Sequence, residues 1–515
     1  MDAARQAAAP QDTSAPDLPR DAAHQGAPAG PVVPRDPSLR ADRMSRRDRT
    51  AVGLLLASTF VVILNETIMG VALPRLMADL SITAATAQWV STAFMLTMAV
   101  VIPITGFLLQ RTTTRQSFLV AMGLFSLGTL VCALAPGFEV LLVGRVVQAA
   151  GTAVMLPLLM TTVMTVTPPA GRGRTMGNIS VVISVAPAIG PTISGLVLSV
   201  LPWRALFALV LPIALVALVV GAWRLETLNE PRTARVDLGS VVLSAFAFGG
   251  IVLGLSRLGE AADGAAVSAW VALGVGLVAL SLFLARQIWL QRAGRALLDL
   301  RVFSSPTYAV AVGLMGLSMI ALFGTIILLP IYAQNVLGLD VLRTGLLLLP
   351  GGLAMGLLAP GVGRAYDRFG PRPLLVPAAA VVSLALWGLT LVGVGSSPWF
   401  LLACHVVLSV GLALMFTPLF TTALGSVPPH LYSHGSAVIG TVQQVAGAAG
   451  TALFVTVLTR QATVAATGGA DAVGATAAGV QAAFLVGAFA SLLAIPAAFA
   501  VRPAPAGATA PRGGH

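Results

Sequence analysis

Fourteen long apolar runs, each near the twenty residues a helix needs to cross about 30 Å of hydrocarbon, leave this chain one solvent to fold in, and it is lipid. Their approximate limits are 51–73, 88–109, 117–136, 140–166, 176–200, 203–222, 236–256, 266–286, 307–333, 342–363, 373–394, 399–422, 434–458 and 480–500. The runs are unbroken and lack the alternation that a barrel wall requires, so they predict helices rather than strands. Charge agrees: only 10% of the 515 residues are charged, where a soluble domain carries about a quarter. The expected fold class is all-α integral membrane, with fourteen transmembrane helices.

The stretches outside the runs have their own logic. Residues 1–48 and 501–515 are rich in Ala, Pro and polar groups and cannot bury enough surface to fold, so disordered tails are expected. The N-terminal tail lacks the apolar core of a signal peptide. All basic residues are arginine, and they give a net charge of +11. They are spread over short gaps between spans rather than gathered in a patch, which excludes a nucleic-acid surface and points to topology instead. With the N-terminus in the cytoplasm, 24 arginines fall on that side and five outside: Arg75, Arg204, Arg257, Arg343 and Arg460. Without the tails the loops still divide 14 to 5, so both termini are expected to be cytoplasmic. Cys132 and Cys404 each lie inside an apolar run, which gives no disulfide framework and no metal cluster.

An internal repeat organises the spans. Gly106, Gln110, Arg111, Thr113 and Arg115 follow span 2, and Gly363, Asp367, Arg368, Gly370 and Arg372 follow span 10 at the same offsets. Two six-helix, pseudo-symmetric bundles with helices 7 and 8 inserted between them account for fourteen spans, and repeated halves about a central site are a common transporter plan. The expected boundaries are 1–48 (tail), 49–225 (N-terminal bundle), 226–300 (two inserted helices with linkers), 301–500 (C-terminal bundle) and 501–515 (tail).

Within this apolar background a few residues carry chemistry. Glu66 is the one acid deep within a span, and a carboxylate in hydrocarbon costs a few kcal/mol, so it should face an interior cavity. Burial favours its neutral form and a nearby arginine its ionised form, and a group balanced between them exchanges protons near neutral pH. Arg145 is the one basic residue well inside a span. At 1.5 Å per residue it lies roughly 8 Å below the outer surface, and Glu66 lies roughly 8–12 Å below the same surface. If spans 1 and 4 are neighbours, an ion pair or a proton-gated pair follows, with Gln148 one turn along on the same face. The alternative is that Arg145 snorkels to the headgroups. In span 5, Pro187 and Pro191 remove backbone donors while Gly190 and Gly195 permit close approach, which predicts a kinked, tightly packed seam. Asp367, near a helix end with Arg368 and Arg372, can bind a neighbouring helix N-terminus and latch the inner side closed. Gln110 in the first copy should latch more weakly. His405 and His434, near span ends, read either as titrating groups or as interfacial residues, and the interface is the expectation. The absence of a Gly-Lys-Ser/Thr phosphate loop argues against an ATP-driven pump. No hydrolase signature marks the chain as an enzyme, and no cofactor is implied.

These motifs together resemble the major facilitator superfamily, specifically its fourteen-span drug:proton antiporter branch and the lincomycin-exporter-like subgroup. The carriers are Leu64-Asn65-Glu66-Thr67-Ile68 through Pro74, Gly144-Arg145 with Gln148 and Gly151, Gly190-Pro191 with Gly195, the two loop repeats, Pro350-Gly351-Gly352 and Gln443-Gln444. Most members of the branch carry aspartate at the place of Asn65, and here Glu66 supplies the acid. The resemblance implies a proton-driven multidrug antiporter of the bacterial plasma membrane that exports small lipophilic or cationic compounds by alternating access. Glu66 and Arg145 would couple protons, and Asn65, Met69, Gln148, Met155 and Gln334 would contact substrate. Its partners would be the lipid bilayer, protons and a small molecule, with no nucleic acid, and it would act as a monomer. A lipid, envelope-precursor or endogenous-metabolite exporter, an uptake symporter and a non-transporting sensor are the other readings, in falling order.

Overall fold

The computed structural model describes residues 44–228, 237–259 and 265–502. The expected tails over 1–43 and 503–515 lie outside the described residues. Among those described the chain is all-helical, and fourteen helices are long and apolar enough to cross a membrane. They are α1 (Arg46–Leu80), α2 (Ala84–Arg111), α3 (Thr114–Ala133), α4 (Phe138–Val166), α5 (Arg172–Val200), α6 (Arg204–Arg224) and α7 (Leu238–Gly259). Then follow α8 (Ala265–Gln291), α9 (Pro306–Asn335), α10 (Val341–Phe369), α11 (Arg372–Leu389), α12 (Pro398–Gly425), α13 (Tyr432–Thr467) and α14 (Ala472–Leu492). A short α15 (Ala494–Ala500) completes the last span.

Several of the helices start where polar side chains can take up their free amides. Ser45, Thr83, Thr113, Asp340 and Asp471 each accept a first-turn N–H. At α3 the exchange is reciprocal: Thr113 Oγ1 accepts from the Gln116 amide at 3.1 Å and Gln116 Oε1 accepts from the Thr113 amide at 3.0 Å. Because Ser45 caps α1, the helix begins three residues inside the stretch expected as tail. At its other end α1 runs past the apolar limit through Pro74 to Leu80. The Asp79 carboxylate fixes that polar end, accepting from Trp203 Nε1 at 2.8 Å and Arg204 Nη1 at 3.0 Å. Those two bonds, Trp203's first, hold its carboxyl below the usual range.

Within the first six helices, α1 packs on α4, α5 and α6, α2 on α4, and α3 on α4 and α6. Within the last six, α9 packs on α12 and α13, α10 on α12, α11 on α12 and α14, and α13 on α14. The two sets meet along α5–α10, α2–α13, α4–α13 and α5–α12. Helices α7 and α8 form a hairpin, with a Cβ on Gly250 falling 2.9 Å from the Gly276 Cα and α7 lying against both α2 and α13.

Candidate functional site

Glycine sets the surroundings of the buried arginine of α4. A Cβ on Gly128 or Gly151 would overlap the backbone of the facing helix, so α3 and α4 lie backbone to backbone. That approach sets Thr129 of α3 beside Gln148 of α4, whose Nε2 donates to Thr129 Oγ1 at 2.7 Å. Gln148 Oε1 accepts from Arg145 Nη1 at 2.6 Å. The same Nη1 lies 3.4 Å from Asn65 Oδ1 on α1, and the guanidinium carbon sits 4.0 Å from the centre of the Phe94 ring on α2. Arg145 is 1% exposed, so it does not snorkel to the headgroups. Its Nε has no partner among the described residues.

Glu66 is half-buried and makes no hydrogen bond among the described residues. It lies near enough to Arg145 for the two charges to act on each other, yet no ion-pair contact joins them. In place of the direct ion pair that was one of the two expected outcomes, Asn65, one residue earlier on α1, turns its carbonyl to the guanidinium. The next residue, Thr67, fixes α1 against α5: a Cβ on Gly190 would overlap the Thr67 hydroxyl, which lies 3.5 Å from the Ala186 carbonyl. Ser194 Oγ donates to the Ile68 carbonyl at 2.9 Å. The span 5 seam is thus tight at Gly190 and Ser194, while Gly195 faces open space and Pro187 is half-buried. The Pro191 side chain lies outside the described residues.

Far along the helices, the two sets close on each other. Asp367 at the end of α10 accepts from the backbone amides of Gly173 at 2.7 Å and Arg174 at 2.8 Å, the first turn of α5. Gly363 permits this, since a Cβ there would overlap the Gly173 carbonyl. The first-half copy does a lesser version: Gln110 Nε2 donates to the His430 carbonyl at 3.0 Å, just before α13, and Gly106 lies against His434. The outer arginines of the two motifs act alike. Arg115 donates to the Ala222 carbonyl at the end of α6 (2.7 Å), and Arg372 to the Val501 carbonyl after α15 (2.9 Å). Gly370 takes φ +77°, left-handed backbone that glycine tolerates, where the first copy uses the Thr113 cap. Arg111 is exposed, and Arg368 lies 5.1 Å over Phe369. Near His434, burial pushes the Asp299 carboxyl up, but the Arg301 fork outweighs it and keeps the group below its ordinary value.

Of the expected substrate contacts, Asn65, Met69, Gln148 and Met155 are at most 2% exposed, so in this arrangement they present no surface to a ligand. Gln334 is exposed, near the end of α9. His405 and His434, expected at the interface, are both buried. His405 is the eighth residue of α12, as Arg145 is of α4, and it lies against Gly351, the eleventh of α10, as Arg145 lies against Phe94, the eleventh of α2. The 257-residue offset of the loop motifs aligns Gly351 with Phe94 but not His405 with Arg145, which are 260 residues apart and match only when counted from their helix starts. Sequence reasoning also missed Thr129, Phe94 and the hydroxyl pairs Thr161–Ser436 (2.8 Å) and Ser180–Thr417 (2.8 Å) between the two sets.

A profile of the Major Facilitator Superfamily matches residues 55–451. The MFS-type transporter YcnB of Bacillus subtilis (strain 168) is 39% identical over 443 residues, covering 86% of this chain and 92% of that one. The lincomycin resistance protein LmrB of Listeria monocytogenes is 38% identical over 441 residues, covering 85% and 93%. Among solved structures, the human organic anion transporter MFSD10 (TETRAN) shares the fold with a TM-score of 0.64. At 15% identity it covers 88% of this chain and 99% of that chain.

Proposed function

This chain belongs to the Major Facilitator Superfamily, and we propose that it is a proton-driven antiporter exporting small lipophilic or cationic compounds, antibiotics and dyes among them. The observation that carries the reading is Glu66: a half-buried acid inside a span, without a hydrogen bond among the described residues, near enough to feel a buried arginine whose guanidinium is held by neutral acceptors. A carboxyl so placed exchanges its proton without first breaking an ion pair. A charge at that depth costs about 3 kcal/mol, so the neutral and ionised forms favour different arrangements of the surrounding helices. Proton entry and substrate exit are coupled through that difference.

Resistance to lincomycin, in the name of a relative aligned over most of both chains, supports export of a drug-like molecule. Few polar side chains among the apolar helices suit lipophilic, neutral or monocationic cargo. The arginine bias of the loops supports a plasma-membrane protein with both termini in the cytoplasm. The end closed by Asp367 is then the cytoplasmic one, with two six-helix bundles rocking about the site and the α7–α8 hairpin inserted between them. It works as a monomer in lipid. The test is transport of ethidium and of lincomycin into energised inverted vesicles, wild type against Glu66→Gln. Accumulation that a protonophore abolishes, and that Glu66→Gln lowers at least tenfold, is expected. Normal pH-dependent transport by Glu66→Gln overturns the assignment of Glu66.

A further inference from the structure

Resting on that reading of Glu66, we propose that Thr129 is a positioning residue whose hydroxyl fixes the Gln148 amide and thereby holds the Arg145 guanidinium on neutral acceptors. The hydroxyl has one proton, and it is committed: Thr129 Oγ1 donates to the Phe125 carbonyl one turn back at 2.6 Å. Alone, that bond is ordinary behaviour for a threonine inside a helix. Its consequence lies on the other side of the oxygen, where only lone pairs remain to meet Gln148 at 2.7 Å. The group that Gln148 turns toward Thr129 must therefore be its NH2. The carboxamide oxygen then has to face the other way, where Arg145 Nη1 waits at 2.6 Å.

The reverse orientation puts an NH2 against a guanidinium, donor to donor, in a buried place where an unmet donor costs about 1–3 kcal/mol. Thr129 and Gln148 are both fully buried, so water cannot relieve it. The Phe125 carbonyl thus decides, through two side chains, Thr129 and Gln148, which atom the arginine meets. Asn65 adds a second neutral oxygen at 3.4 Å, and Phe94 covers the guanidinium face. The titratable groups acting on Arg145 are Glu66 from α1 and the Cys132 thiol from α3. α2 contributes the uncharged Phe94, and α4 itself Gln148. With the amide locked, Nη1 is occupied without charge neutralisation, and Glu66 stays out of ion-pair contact. Without the lock the guanidinium is released to Glu66, the one carboxylate acting on it among the described residues.

The experiment reads the Glu66 carboxyl directly, with no transported substrate. The protonated-carboxyl infrared band of the full-length protein in lipid is titrated with pH, and assigned by its loss in Glu66→Gln. Thr129→Val, which keeps the shape and removes the hydroxyl, should move the midpoint about one pH unit toward acid, a tenfold change in proton affinity. Thr129→Ser, which keeps the hydroxyl, should restore the wild-type midpoint. Thr129→Ala serves the same comparison if the valine variant does not fold. An unmoved midpoint in the hydroxyl-free variants overturns the positioning role and leaves the proton reading of Glu66 standing. A band that Glu66→Gln does not remove, or that does not titrate in wild type, overturns both.

Discussion

Arg145 shows what one residue can and cannot announce. A lone arginine and a lone glutamate stand out in apolar spans because hydrocarbon tolerates few charges, and their shared depth follows from helix rise alone. The acceptors of the arginine do not stand out. Thr129 reads as one more helix threonine, and Phe94 as one more apolar residue, because cation–π contact depends on which ring face meets which helix. Of the two outcomes expected from depth, an ion pair or a proton-gated pair, the direct ion pair is not formed: one residue of α1 rotation, about 100° on a helix, turns Asn65 rather than Glu66 to the guanidinium. A ring 4.0 Å from a desolvated guanidinium contributes about 2 kcal/mol. Phe94→Leu, which keeps the apolar bulk and removes the π face, should lose about that much stability, read as a lower thermal midpoint in detergent. Unchanged melting would mean that the ring only fills space.

Elements were legible in number and less so in extent. Fourteen apolar runs became fourteen spans, yet α1 runs from Arg46 to Leu80 rather than 51–73, because a helix with satisfied ends need not stop where hydrocarbon does. The α7–α8 hairpin has a base that no periodicity reveals. Asp237 precedes α7 and accepts from Arg286 of α8 through Nε at 2.7 Å and Nη2 at 2.8 Å, and from the Ser240 amide at 3.0 Å. Gln287 donates to Ser240 at 2.8 Å and accepts from the Leu297 and Leu298 amides, tying the hairpin to the chain that follows it. The Arg286 fork holds the Asp237 carboxyl well below the usual range, against the opposing pull of burial. A depressed carboxyl stabilises the fold fully above the ordinary carboxylate value near 4, and that contribution fades only as pH falls below it toward the lowered value. Asp237→Asn should therefore lower the unfolding free energy by about 1 kcal/mol at pH 7, since the arginine is partly exposed. The gap from wild type should narrow only below about pH 4, read by thermal melts across pH. A gap that closes already at pH 6 would assign the effect to another group.

At the scale of the whole molecule, the repeat explains more than the motifs that revealed it. Arg115 and Arg372 were legible as a repeated spacing and prove to do one job, each closing the last helix of its own set. The charge difference between Gln110 and Asp367 was legible too, and its physical meaning is the number of bonds each makes across the two sets. Asp367 accepts two amides at a helix N-terminus, where backbone dipoles favour an anion, while Gln110 makes one neutral bond. A charged acceptor of this kind contributes about 1.5–3 kcal/mol and a neutral bond about 1. Closure at this end should then depend mainly on Asp367, with Gln110 as a minor support. Thr161, bonded to Ser436 across the α4–α13 contact, reports the opening if it is changed to cysteine, because native Cys132 and Cys404 are buried and give a low background. Labelling of Thr161→Cys by a membrane-impermeant maleimide from the Asp367 side should rise tenfold or more with Asp367→Asn. With Gln110→Ala it should rise by no more than about fivefold, following the same two bond energies. The reverse ranking would put the stronger closure on the α2–α13 seam, and would make His434, packed against Gly106, the residue to change next.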